Sequence, residues 1–192
     1  MELHIKRKDK IIQTSIDILD ELGFQGLTTK EISKREQISE AAIYKHFKGK
    51  AEIICGILDY YYKFDNDIKQ TIEINRYSPK QSIRFIAECL GEYYENYPAI
   101  TVVPFYYEAL SHEKGASNKI KETYKLRSNY LTHLIEKGIK EREFPKNTSS
   151  EDLANIILGT SRTIILIWRM EKGEFLLKEK LLSTLNIILK AC

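Results

Sequence analysis

A chain of 192 residues, 43% hydrophobic and 30% charged, is long enough for one or two domains around a substantial core. Lys and Arg exceed Asp and Glu by three overall, and by ten to eight in the first fifty residues, so bulk charge announces no nucleic-acid binder and any electrostatic footprint must come from placement. Cys55, Cys89 and Cys192 are odd in number, widely spaced and without a CxxC pair, which argues against a disulfide scaffold or zinc site and for a reducing cytosol.

The N-terminal "MELHIKRKDK" has no apolar core of a signal peptide, and the apolar runs "AITVVPF" and "TIILIW" are too short to span a bilayer. A cytoplasmic protein with no membrane partner is expected. Apolar residues recur at spacings of three and four, with no sustained alternation at two, which predicts about nine helices and no sheet. The first covers residues 6–22, with Ile12, Ile16 and Leu19 as its stripe, widened by Ile11, Ile18 and Leu22; Gly23 ends it as a left-handed cap. The second opens at Thr28-Thr29, with Glu31 placed for a capping box, and ends near Arg35. The third is the stretch "QISEAAIYKHF", residues 37–47, started by Ser39. The fourth runs from about Lys50 to Gln70 and buries Ile53, Ile54, Ile57, Leu58 and Tyr61. Ser78, Pro79 and Gln81 start a fifth over 79–96, followed by 98–113, 117–142, 150–172 and 174–191, with Pro98 and Pro104 tightening or kinking the second of these. The fold class is all-α. A three-helix unit at 1–50 is joined by a linking helix to a larger helical bundle within 51–192.

Helix, tight turn and short helix is the arrangement of a helix-turn-helix reader, whose second short helix meets base edges in the major groove. The turn "EQIS" is brief and Ile38 can plug it into the core. Ala41 and Ala42 leave the groove-facing side free of bulk, and a methyl group there can touch a thymine methyl. Ser39 and Glu40 stand where base-edge or backbone contacts form; Tyr44, Lys45 and His46 can donate to phosphates. The helix start at Thr28 and Thr29 favours a phosphate, and Lys48 and Lys50 offer a further site. Each feature alone has a plain alternative, since alanines raise helix propensity and Tyr or His usually packs. It is the joint pattern that points to double-stranded DNA.

The segment "LTTKEISKREQISEAAIYKHFKGKAEII", residues 27–54, resembles the DNA-binding signature of TetR-family transcriptional regulators, over about residues 8–54. By that resemblance Thr28, Thr29, Ser39, Ala41, Ala42, Tyr44, His46 and Lys50 match operator-contacting positions, and Ile43 and Phe47 match core positions. The family usually has Ala-Gly where this chain has Glu36-Gln37, so Gln37 is expected in a left-handed conformation at a cost of roughly 1 kcal/mol. Ser33 supplies the small residue after Ile32, and Ala41 stands where glycine is frequent. The resemblance also implies a helical body that dimerises and holds an effector pocket, and a repressor released from its operator by a small, partly apolar molecule.

In the body, Leu153, Ile157 and Ile164 of one helix and Leu181, Leu185 and Ile188 of the last belong to apolar arcs broader than one neighbour can bury, so the homodimer interface is expected there. Tyr61, Tyr94, Phe105, Tyr106, His112 and Trp168 are the candidate effector-pocket residues, although aromatic stripes at helical spacing are usually core. No HExxH, ExxH pair or His/Cys cluster is present, so no metal, no cofactor and no enzyme activity are expected. The rival readings are a helical-bundle adaptor, or a helical enzyme whose three-helix module does not bind DNA.

Overall fold

The computed structural model describes residues 7–191; Lys6, the expected helix start, and Cys192 lie outside them. Among the described residues the regular elements are all helical: α1 (Arg7–Gly26), α2 (Thr29–Glu36), α3 (Glu40–Tyr44), α4 (Lys50–Asn75), α5 (Pro79–Asn96), a 3-10 helix (Pro98–Tyr106), α6 (Tyr107–Ser111), α7 (Ser117–Lys140), α8 (Ser150–Met170) and α9 (Leu177–Ala191). Packing groups them into two compact units, one ending at Phe64 and including Ala99–Thr123, the other made of Asp65–Pro98 with the chain from Tyr124 onward. The division expected at residue 50 is one of role; these units are a matter of packing.

In the first unit α1, α2 and α3 close around Ile11, Ile16, Leu19, Ile32, Ile43 and Phe47, all essentially inaccessible, and the α4 stripe Ile53, Ile54, Ile57 and Leu58 is equally buried. Each such side chain contributes on the order of 1.5–3 kcal/mol. Gly23 interrupts α1 at φ 68, ψ −173, a region closed to side chains, and a helical turn then resumes to Gly26. A Cβ there would also stand 3.0 Å from the Tyr106 hydroxyl. Helix α4 continues past the expected end at Gln70 because Ile68 and Ile72 prolong its buried stripe. The single helix expected over 98–113 is instead a nine-residue 3-10 helix followed by the five residues of α6. Pro104 removes one amide donor, and the β-branched run Ile100–Val103 is a poor α-helix former.

The second unit is built on Ile83 of α5, Leu131, Leu134 and Ile135 of α7, Leu153, Ala154 and Ile157 of α8 and Leu185 of α9, closed by Phe144. Helices α5 and α9 approach so closely at Gly91 that a Cβ would lie 2.7 Å from the Lys178 Cα. The Glu95 carboxylate accepts from the Lys178 backbone N–H at 3.0 Å, satisfying one orphan donor at the start of α9. Asp65, 7% exposed, takes a bidentate pair from Arg127 at 2.9 and 2.7 Å, and Arg127 also donates to the Tyr94 hydroxyl at 3.1 Å. The expected capping box at Ser78 and Gln81 is complete.

Helix α8 is long and apolar enough to cross a membrane by length and composition alone, which the short apolar runs did not announce. Its apolar residues serve two faces. Leu153, Ile157 and Ile164, with Leu181 and Leu185 of α9, are at most 7% exposed because helices of the same chain cover them, and Ile188 is half-buried against the same core. The apolar side chains left open are Ile156, Leu166, Ile167 and Met170 of α8, together with Leu176 just ahead of α9 and Ile187 within it. The residues expected at a dimer interface are thus largely covered within the chain, and the open apolar side chains lie about one residue around each helix from them. An apolar count says how wide an arc is, but not which half a neighbouring helix already occupies.

Candidate nucleic-acid interface

Two capping hydroxyls build the reader. Thr28, in extended conformation, accepts from the Glu31 backbone N–H at 3.1 Å and starts α2. Only half of the expected capping box forms, because the Glu31 carboxylate turns to Arg35 at 3.0 Å, and Arg35 reaches Glu21 at 2.8 Å. Ser39 repeats the device at α3, accepting from Ala42 N–H at 3.2 Å. Both hydroxyls act as acceptors within the protein, so each keeps its own O–H to donate to a phosphate oxygen.

The turn between them follows from Gln37, which sits at φ 52, ψ 43 in the left-handed region expected of it. Its N–H reaches the Lys34 and Ser33 carbonyls, and Ile38 N–H closes on Ser33 O at 3.0 Å, a Schellman arrangement. Ile38 is half-buried, as a plug requires, and Ile43 and Phe47 pin the far side of α3 into the core. That leaves the other side of α3 open. Ser39, Glu40, Ala41, Tyr44, Lys45 and His46 are exposed, Tyr44 by 53%, and Ala42 is half-buried. Lys48 is exposed too, and its backbone N–H is held by the Glu52 carboxylate at 2.5 Å.

Lys50 behaves differently from the other basic candidates. Its ammonium donates to the Phe24 carbonyl at 3.2 Å and lies 3.9 Å from the centre of the Phe24 ring. Burial pushes its pKa below the usual lysine value, with nearby Glu113 opposing the shift. It ties the start of α4 to the end of α1, so any phosphate contact from Lys50 must compete with these partners. Sequence spacing gave its position but no sign of this tether.

A second contact also lay beyond sequence reasoning. Thr29 of α2 donates its hydroxyl to the Glu40 carboxylate of α3 at 2.7 Å. The two residues lie on different helices, so only the turn between α2 and α3 reveals the pair.

The pocket candidates do not gather in one unit. Tyr61, Phe105, Tyr106 and His112 belong to the first; Tyr94 and Trp168 belong to the second. Tyr61 and Tyr94 are buried, Phe105 and Tyr106 half-buried, and His112 is exposed at the end of α6. Trp168 is buried with its indole N–H donating to the Phe175 carbonyl at 3.0 Å, a self-contained cap on the turn after α8.

Residues 11–55 match the family model described as bacterial regulatory proteins, tetR family. Over 146 residues the chain is 26% identical to the probable HTH-type transcriptional regulator YttP of Bacillus subtilis, covering 74% of this chain and 69% of that one. It is likewise 26% identical over 194 residues to IcaR of Staphylococcus aureus, a biofilm-operon HTH-type negative transcriptional regulator, covering 95% and 99%. Among solved structures, the regulator FadR of Bacillus subtilis in complex with stearoyl-CoA superposes with a TM-score of 0.82 at 18% identity, over 96% of this chain and 98% of that one.

Proposed function

We propose that this chain is a transcriptional regulator of the tetR family, a homodimeric repressor that leaves its operator when a small molecule binds its helical body. The observation that carries the reading is the open face of α3. A left-handed turn and two buried anchors present Ala41, Ala42 and Tyr44 outward, with spare hydroxyls at Thr28 and Ser39 on either side. Residues 1–50 read DNA and 51–192 hold the effector and the partner subunit. Ser39, Glu40, Ala41 and Ala42 approach base edges, while Thr28, Tyr44, Lys45, His46 and Lys48 grip the backbone; Thr29 and Lys50 do so only if they release Glu40 and Phe24 respectively.

Repression is supported by the likeness to IcaR, a negative regulator over its whole length. The stearoyl-CoA complex of FadR supports a partly apolar effector, bound here within 51–192. Two subunits joined through the open apolar face of α8 and α9 would hold their reading helices about one DNA turn apart, ~34–36 Å. An effector with higher affinity for another spacing shifts the population away from the operator-bound state.

A gel shift with the DNA upstream of the protein's own gene, over a salt series, tests the reading. A specific complex is expected, weakening steeply with salt as counterions are released. Tyr44→Ala should lower affinity across sequences, whereas Ala42→Leu should abolish close approach to the groove. A salt-insensitive complex, or one indifferent to both substitutions, rules the interface out.

A further inference from the structure

The geometry points to Glu40 as a base-reading residue that selects cytosine at one operator position, held in place for that task by Thr29; this rests on the operator-binding reading above. A carboxylate is out of place on a surface meant for a polyanion, yet Glu40 is exposed at the first residue of α3, beside Ala41 and Tyr44 on the open face. Its Oε2 accepts the Thr29 hydroxyl at 2.7 Å, and among the described residues no cation or other donor reaches the carboxylate. The charge is restrained without being neutralised. Phosphates repel such a group. What attracts it in the major groove is an exocyclic amine. Cytosine shows its N4 amine there with no acceptor of its own beside it, whereas adenine sets N7 next to its amine and guanine and thymine offer acceptors. A fixed carboxylate therefore accepts from cytosine and is repelled by the alternatives, so it discriminates more than it attracts. The bond to Thr29 limits the rotamers lost on binding, which sharpens that choice.

Selection of bound duplexes from a randomised pool, carried out with the full-length protein, tests this. The wild type should enrich a consensus with one cytosine-preferring position per half-site. Glu40→Ala should flatten that position by about tenfold or more, while binding to unrelated duplex becomes tighter because a like charge has gone. Glu40→Gln should move the same position towards adenine, which suits a bidentate amide. Thr29→Ser should keep the preference and Thr29→Val should weaken it. An unchanged consensus in Glu40→Ala overturns the assignment of Glu40 and leaves operator binding intact, whereas a thermal shift in Thr29→Val with an unaltered consensus overturns only the positioning role of Thr29. A wild-type chain that enriches no duplex refutes operator binding itself, and this assignment with it.

Discussion

Gly23, Asp65 and Lys50 show how single residues carry constraints that type and spacing only hint at. Gly23 was expected to end a helix as a left-handed cap, and it breaks α1 instead, with a further turn running to Gly26; its ψ of −173 and the Tyr106 hydroxyl explain why no other residue fits. Gly23→Ala should cost about 1–3 kcal/mol from backbone strain, read as a lowered denaturant midpoint. Adding Tyr106→Phe should relieve the contact but not the strain, so a full rescue would show that the backbone argument is mistaken. Asp65 forms the buried carboxylate of an ion pair with Arg127, whose side chain is 20% exposed. Asp65→Ala should destabilise by about 3 kcal/mol, because it removes the carboxylate that neutralises a mostly buried guanidinium. The double variant Asp65→Ala, Arg127→Met should recover much of that, measured by urea unfolding. Lys50 illustrates the opposite lesson: its position fits a phosphate contact, while its ammonium is already engaged by Phe24.

At the scale of elements, local rules account for the reader well. Thr28, Ser39 and Ser78 all cap as their sequence context requires, and Gln37 adopts the left-handed turn in the place where glycine is usual. Gln37→Gly should therefore raise stability by about 0.5–1 kcal/mol and leave the selected DNA sequence unchanged. A fall in the unfolding midpoint would mean that the Gln37 side chain contributes more than its conformation costs. Local rules fail at Pro98–Tyr106, where a long 3-10 helix replaces half of an expected α-helix. Two prolines signalled a disturbance there, but its extent depends on the burial of Ile100, Thr101, Val102 and Val103. They fail again at Glu31, whose carboxylate had two partners within reach and chose Arg35 over the capping box.

For the molecule as a whole, the faces of α8 and α9 divide into one that builds the core and one that is open, the face proposed above for the partner subunit. Ile157→Ala should destabilise the chain by about 2–5 kcal/mol without changing its association, since Ile157 is core. Ile167→Glu, on the open face, should leave the unfolding midpoint nearly unaltered and yield monomers in sedimentation. The monomer should also bind the operator far more weakly, since the second half-site contact is no longer intramolecular. A dimer that survives Ile167→Glu and Met170→Glu together would place the interface elsewhere.

The helical class, the three-helix reader and the residues at its surface were legible in the sequence, because capping, turns and 3.6-residue periodicity are interactions among near neighbours along the chain. Which apolar face is covered, which lysine is tethered and which hydroxyl steadies Glu40 were decided by tertiary structure alone. Those outcomes depend on residues brought together across long separations, such as Lys50 with Phe24 or Asp65 with Arg127, and no local period encodes them.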